Sequence, residues 1–281
     1  MTRKILLIAG PTASGKSARG VKEALARDGE IISVDSRQVY RGLDIGTEKI
    51  TTEEMLNIPH HLISIRDLNG SYSAENFIKD ATRLIEEIST RQKLPILVGG
   101  THFYFDVLFK GLPPSTPLNL SLRHALEKIT TDELYARALQ QDPKRATRLD
   151  PRNRRRIIRA LEIIEAVGKV PARRRPNSAY EIEWIVINPP REELRQRINA
   201  RLTNALAHGL IEEVQRVREQ VSNARLNEFG LEYRVVGEFL RGERVEASLL
   251  PTLSAKLWQY ARRQKAWLRK FHEESIITVK Q

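Results

Sequence analysis

Residues 10–17 read Gly-Pro-Thr-Ala-Ser-Gly-Lys-Ser, directly behind the apolar run Lys4–Ala9. A glycine-framed octet ending in Lys-Ser, between a strand pattern and a helix pattern, leaves a chain few folds to adopt. Gly10 and Gly15 let the backbone curl so that its N–H groups converge on one point. Pro11, Thr12, Ala13 and Ser14 make the curve between them. Lys16 adds a positive charge and Ser17 a hydroxyl suited to a magnesium ion. The helix behind them adds its positive end. The octet predicts a di- or triphosphate site on a strand–loop–helix unit.

Up to Gly100 the chain keeps alternating. Lys4–Ala9, Glu30–Val34 and Leu94–Val98 read as strands, with a further one within Pro59–Ile65. Helices are expected over residues 17–28 and from an N-cap at Ser73 to Ser89, where Phe77, Ala81, Leu84, Ile85 and Ile88 share a face. Strands that are apolar on both faces predict a parallel sheet covered by helices, an α/β fold of the P-loop NTPase kind. The absence of cysteine excludes disulfides and thiolate metal sites. No apolar run is long enough to span a membrane, and the start lacks a signal-peptide layout, so we expect a cytoplasmic protein. His60 and His61 would point to opposite faces of a strand and make a poor chelate.

Charge is unevenly spread. Lys and Arg number 47 against 35 acids, giving +12, and residues 118–180 alone carry a net +8. Gly111–Pro117 reads as a linker. We therefore expect a basic helical insertion over 118–180 in a core made of 1–117 and 181–281, with a strand at Ile182–Ile187. Its main helix is predicted to start with Asp150 as N-cap and Pro151 in the first turn, and to stop at Gly168. Arg152, Arg155, Arg156 and Arg159 then form one stripe, with Ile157, Leu161 and Ile164 facing a core. Such a stripe suits a nucleic-acid backbone. From Glu192 the chain reads as helical, broken near Phe229-Gly230. A last helix, about Ser254–Phe271, buries Leu257, Ala261 and Leu268 and shows Arg262, Lys265 and Arg269. Trp258 and Trp267 are expected to finish a core rather than stack on bases.

Ligands of open parallel sheets lie at the carboxyl ends of the strands. This places Asp35, Ser36, Gln38 and Thr101 around the phosphate loop. Asp35 is suited to take a proton from a nucleophile, or to partner a magnesium ion or lysine. Thr101 is suited to donate to a leaving-group oxygen, or to cap the next helix. On these residues alone, a small-molecule kinase and an RNA-binding switch protein stay open.

Further runs follow in order: Ser33-Val-Asp-Ser-Arg-Gln-Val-Tyr-Arg-Gly-Leu-Asp-Ile-Gly-Thr47, His60-His-Leu-Ile63, Val98-Gly-Gly-Thr101, Arg156-Ile-Ile-Arg-Ala-Leu-Glu162 and Ala261-Arg-Arg-Gln-Lys-Ala-Trp-Leu-Arg269. With the octet they resemble the tRNA dimethylallyltransferase family over essentially the whole chain. The run from Ser33 to Thr47 is the most specific part.

The resemblance implies transfer of a dimethylallyl group from its diphosphate to N6 of the adenosine 3′-adjacent to the anticodon. It implies magnesium as cofactor, a tRNA anticodon stem-loop as partner, and a monomer. Residues 12–17 would hold the donor diphosphate. Asp35 resembles the general base, Thr101 the residue steadying the departing diphosphate, and Arg201 an arginine beside it. The implied tRNA contacts are Asp35, Ser36, Arg37, Gln38, Thr101, Arg123, Arg155, Arg156, Ile157, Ile158, Arg159, Arg262, Arg263, Gln264 and Arg269. Gln38 is suited to read an adenine edge. Prenylation of free AMP, the related alternative, gives no use for the basic insertion. The chain departs from the family pattern at Leu231-Glu232-Tyr233 (more usually Ile-Gly-Tyr), at Leu257-Trp258 (often Thr-Arg) and at His102-Phe103 (commonly Gly-Leu). An acid at 232 is expected to sit awkwardly beside RNA phosphates, and His102-Phe103 to reshape the wall around the prenyl chain.

Overall fold

The computed structural model describes residues 3–113, 119–172 and 180–279. In chain order its elements are β1 (Arg3–Ala9), α1 (Lys16–Arg27), β2 (Gly29–Val34), β3 (His60–His61), α2 (Ala74–Thr90), β4 (Leu94–Gly99), α3 (His102–Lys110), α4 (Leu120–Glu127), α5 (Thr131–Gln141), α6 (Pro143–Ala146) and α7 (Arg154–Val167). There follow β5 (Tyr180–Val186), α8 (Arg191–Ala207), α9 (Leu210–Arg218), α10 (Asn223–Glu228), α11 (Leu231–Leu240) and α12 (Leu249–Val279). Two compact units emerge: Met1–Leu108 with Ser178–Gln281, and Phe109–Asn177. Most of the linker expected at 111–117 lies outside the described residues.

The first unit is a P-loop fold. Its five strands are all parallel, in the order β3-β2-β4-β1-β5. Side chains from Ile5 to Ala9 on the inner strand β1 are fully buried, which their unbroken apolar run dictates. Helix α2 opens on a reciprocal capping box between Ser73 and Asn76, and its apolar face buries Phe77, Ala81, Leu84, Ile85 and Ile88 as expected. The strand expected over 59–65 shrinks to two residues. Leu62 and Ser64 take positive φ (64° and 52°), which turns the chain out of the extended region. The two histidines of β3 diverge: His61 Nε2 meets Glu30 Oε2 at 2.7 Å, while His60 Nδ1 meets the Ile58 carbonyl at 2.8 Å.

The second unit packs α4, α5 and α7 around Leu126, Leu134, Ile157, Ile158 and Leu161. Two expectations are corrected here. Helix α7 starts at Arg154 with Asn153 as its cap, accepting from Arg156 N at 3.2 Å. Asp150 instead accepts from Arg152 N at 3.0 Å and closes a separate turn around Pro151, so Arg152 stands outside the helix. Ile157 and Ile158 are 0% and 4% exposed, so their side chains are core and are not presented to tRNA.

Candidate active site

Three strand ends meet where the ligand of such a sheet belongs. β1 runs into the phosphate loop, β2 into Asp35, and β4 into Gly100-Thr101. The two glycines of Val-Gly-Gly-Thr each admit a close neighbour. A Cβ on Gly99 would lie 2.1 Å from the Val34 carbonyl oxygen, and one on Gly100 would lie 2.8 Å from Gln264 Nε2.

The loop is shaped as a cradle. Ala13 and Gly15 take φ of 58° and 84°, and Gly10 has no room for a Cβ between Ser14 Oγ and the Ile187 carbonyl. Helix α1 begins behind Gly15 with no side-chain cap, which leaves its first N–H groups to an anion. Pro11 lends its carbonyl to Lys16 Nζ at 2.7 Å. Burial pushes the Lys16 ammonium down to about 8, and the nearby carboxylates of Glu48 and Asp35 oppose the fall. Ser17 lies in the first turn of α1.

Asp35 is fixed by its own turn. Its Oδ1 accepts from Arg37 N at 2.8 Å and Gln38 N at 3.3 Å. Between Asp35 and Thr101 stands Ser36, whose N–H donates to Thr101 Oγ1 at 3.1 Å, while Thr101 N donates to the Val34 carbonyl at 3.1 Å. The carboxylate and the hydroxyl are thus held one residue apart across the ends of β2 and β4. Gln38 is engaged within the loop: its Nε2 reaches the Thr47 and Glu48 carbonyls at 3.2 Å each, and Ser33 Oγ donates to its Oε1. Reading an adenine edge would require Gln38 to give up these bonds.

Arg201 ties helix α8 to the cradle. Its Nη1 donates to Thr12 Oγ1, and its Nη2 to the Gly46 carbonyl at 3.3 Å and to Glu232 Oε1 at 3.1 Å. The segment bearing Gly46 is itself anchored by buried Glu213, which accepts the N–H groups of Asp44, Ile45 and Gly46 and the Tyr233 hydroxyl. Glu232 therefore does not present its carboxylate on the surface, where the expected RNA phosphates would meet it. It is buried against Arg201.

Gln264 also departs from expectation. It is 4% exposed, accepts from Thr12 N at 2.8 Å and donates to the Gly100 carbonyl at 2.9 Å. It braces the phosphate loop and is not available to tRNA. Its neighbours Arg262, Arg263 and Arg269 are exposed, and with Arg191, Trp258 and Lys265 they line a groove of about 850 Å³. Trp258 is covered by the guanidinium groups of Arg191 and Arg195, at 5.7 and 5.3 Å from its ring centre. Trp267 stacks on His102, with centroids 4.6 Å apart and planes 3° from parallel.

In the second unit, Arg155 and Arg156 are exposed on α7. Arg123 and Arg159 instead share the buried carboxylate of Glu162, at 2.7 and 3.1 Å. Sequence reasoning missed Glu162, Glu213 and Glu232 as organisers. Among the described residues no group of three acid, histidine or cysteine side chains is arranged to hold a metal, and no helix is long and apolar enough to cross a membrane.

A family profile described as IPP transferase matches residues 38–271. The chain belongs to this family, that of the tRNA dimethylallyltransferases. It is 40% identical to the tRNA dimethylallyltransferase of Thermomicrobium roseum, over 99% of this chain and 87% of that one. It is 38% identical to that of Anoxybacillus flavithermus, over 96% and 88%. Among solved structures it resembles the full-length tRNA isopentenylpyrophosphate transferase of Bacillus halodurans (37% identity, TM-score 0.72, 95% of this chain and 87% of that one). It also resembles a eukaryotic dimethylallyltransferase acting on tRNA (30% identity, TM-score 0.81, 95% and 70%).

Proposed function

We propose that the protein transfers a dimethylallyl group from dimethylallyl diphosphate to N6 of the tRNA adenosine that follows the anticodon. The observation that carries this reading is the Asp35–Ser36–Thr101 arrangement beside the phosphate loop: a fixed carboxylate and a fixed hydroxyl at the edge of an anion cradle. The amine N6 attacks C1 of the dimethylallyl chain as the C1–O bond breaks. The diphosphate takes the bonding pair. Asp35 takes the proton from N6, and Thr101 donates to the departing oxygen. Arg201, which donates to Thr12 on the loop, Lys16 and the uncapped α1 N-terminus are suited to meet the charge that grows on that oxygen.

Magnesium fits this donor set. With no acidic cluster ready to hold it among the described residues, the ion would rest on Ser17 and on diphosphate oxygens, as magnesium commonly does. When bound it would neutralise diphosphate charge. The adenosine must leave its stack to reach Asp35. Exposed arginines, Arg155 and Arg156 in one unit and Arg262, Arg263 and Arg269 in the other, are suited to the surrounding phosphates. The reading takes the protein to act in the cytoplasm, as a monomer.

The test is incubation with labelled dimethylallyl diphosphate, magnesium and an anticodon stem-loop carrying adenosine at that place. Label in the RNA supports the reading. Label in AMP, or phosphoryl transfer from ATP without label in RNA, overturns it. Asp35→Ala should lose turnover while keeping stem-loop affinity; lost affinity with normal turnover per complex would remove Asp35 from the proton transfer.

A further inference from the structure

The guanidinium of Arg201 lies between two carboxylates that differ in freedom. Glu48 Oε2 is 3.3 Å from Nη1 and its side chain is 55% exposed. Glu232 Oε1 is 3.1 Å from Nη2 and its side chain is 12% exposed. Glu48 has room to turn into water; Glu232 does not. Glu232 stands in the first turn of α11, next to Tyr233, whose hydroxyl is bound to the same Glu213 carboxylate that anchors Asp44, Ile45 and Gly46. The element carrying Glu232 is therefore locked to the segment whose Gly46 carbonyl also receives Nη2.

A guanidinium is a rigid plane, so fixing one edge fixes the other. We propose that Glu232 is a positioning residue for the transfer: by holding Nη2 it keeps Nη1 of Arg201 turned to the phosphate loop, where the leaving diphosphate gathers charge. This rests on the donor reading of the loop given above. A contact from Arg201 that strengthens as the leaving oxygen gathers charge acts on the rate more than on donor affinity. Burial raises the Glu232 carboxyl's pKa, and the Arg201 guanidinium opposes the rise.

The experiment is a cycle of Glu232→Ala, Arg201→Ala and the double variant, with Glu232→Gln alongside. Turnover and donor KM are measured at saturating stem-loop. Glu232→Ala should lower kcat roughly tenfold or more without raising donor KM. Glu232→Gln, whose amide oxygen still accepts from Nη2, should keep most of the rate. The double variant should be no slower than Arg201→Ala alone. If Glu232→Ala slows the Arg201→Ala enzyme by the factor it costs the natural one, or if Glu232→Gln is as slow as Glu232→Ala, Glu232 does not act through Arg201 and the inference fails. Unchanged kinetics in Arg201→Ala alone would overturn the donor reading beneath it instead.

Discussion

Gln264 Oε1 accepts the backbone N–H of Thr12 at 2.8 Å, across 252 residues of sequence. The last helix is thereby joined to the phosphate loop by a side chain that also donates to Gly100, at the end of β4. Gln264→Leu removes both bonds and strands a buried amide and carbonyl. The expected loss is about 1–3 kcal/mol of stability, with weaker binding of inorganic diphosphate. Urea unfolding and calorimetry check both parts; unchanged diphosphate affinity would make Gln264 a packing residue only.

Lys16 gives the proposed donor site a pH limit. Burial lowers its pKa to about 8 in the free protein, so the ammonium is charged below that pH and lost above it. An anion on the loop favours the charged form. Donor affinity should be level up to about pH 8 and then fall by up to about tenfold per pH unit. Lys16→Arg, which does not titrate in this range, should show no such fall. A donor Kd flat from pH 7 to about pH 9.5 in the natural protein would deny Lys16 the lowered pKa.

His102 should weaken the fold in acid. Burial, with Lys16 nearby, lowers its pKa to about 4 from the usual 6.5, and its Nε2 is buried without a hydrogen-bond partner. Between those values the unfolded chain binds a proton that the folded chain refuses. Stability is therefore retained above pH 6.5, declines as pH falls to about 4, and the decline stops there. The full effect is up to about 3 kcal/mol. His102→Phe, which keeps an aromatic partner for Trp267, should flatten this acid limb in urea midpoints taken from pH 7 to about pH 4.

Two pairs of arginines should separate by assay. Arg155→Ala or Arg156→Ala should each weaken stem-loop binding and lower the salt slope by about 0.7–0.9. Arg123→Ala takes one of two partners from buried Glu162 and should act on thermal stability first. A lower salt slope with unchanged melting in Arg123→Ala would move that residue to the RNA side.

The sheet and the cradle were legible because their signals are local. Lys4–Ala9 and Leu94–Val98 are short apolar runs closed by glycine, and Ser73 sits where a cap must sit. The start of α7 was misplaced because Asp150 and Asn153 are both good caps, and only packing decides between them. The organisers of the site were not legible. Glu213 serves a segment 167 residues away from it at Gly46, Glu232 meets an arginine on another helix, and Gln264 follows two exposed arginines that suggest a surface. No periodicity reports contacts of that range, and an acid inside an apolar helix face, as at Glu162, is the one trace that such a pair leaves.

Val34 and Gly99 meet so closely that even a methyl group has no place between them. The sheet beneath the site is in this sense a closed floor. Any broadening toward a bulkier donor or another nucleoside would have to be carved from the loops and helices above it, since the strands themselves offer no slack.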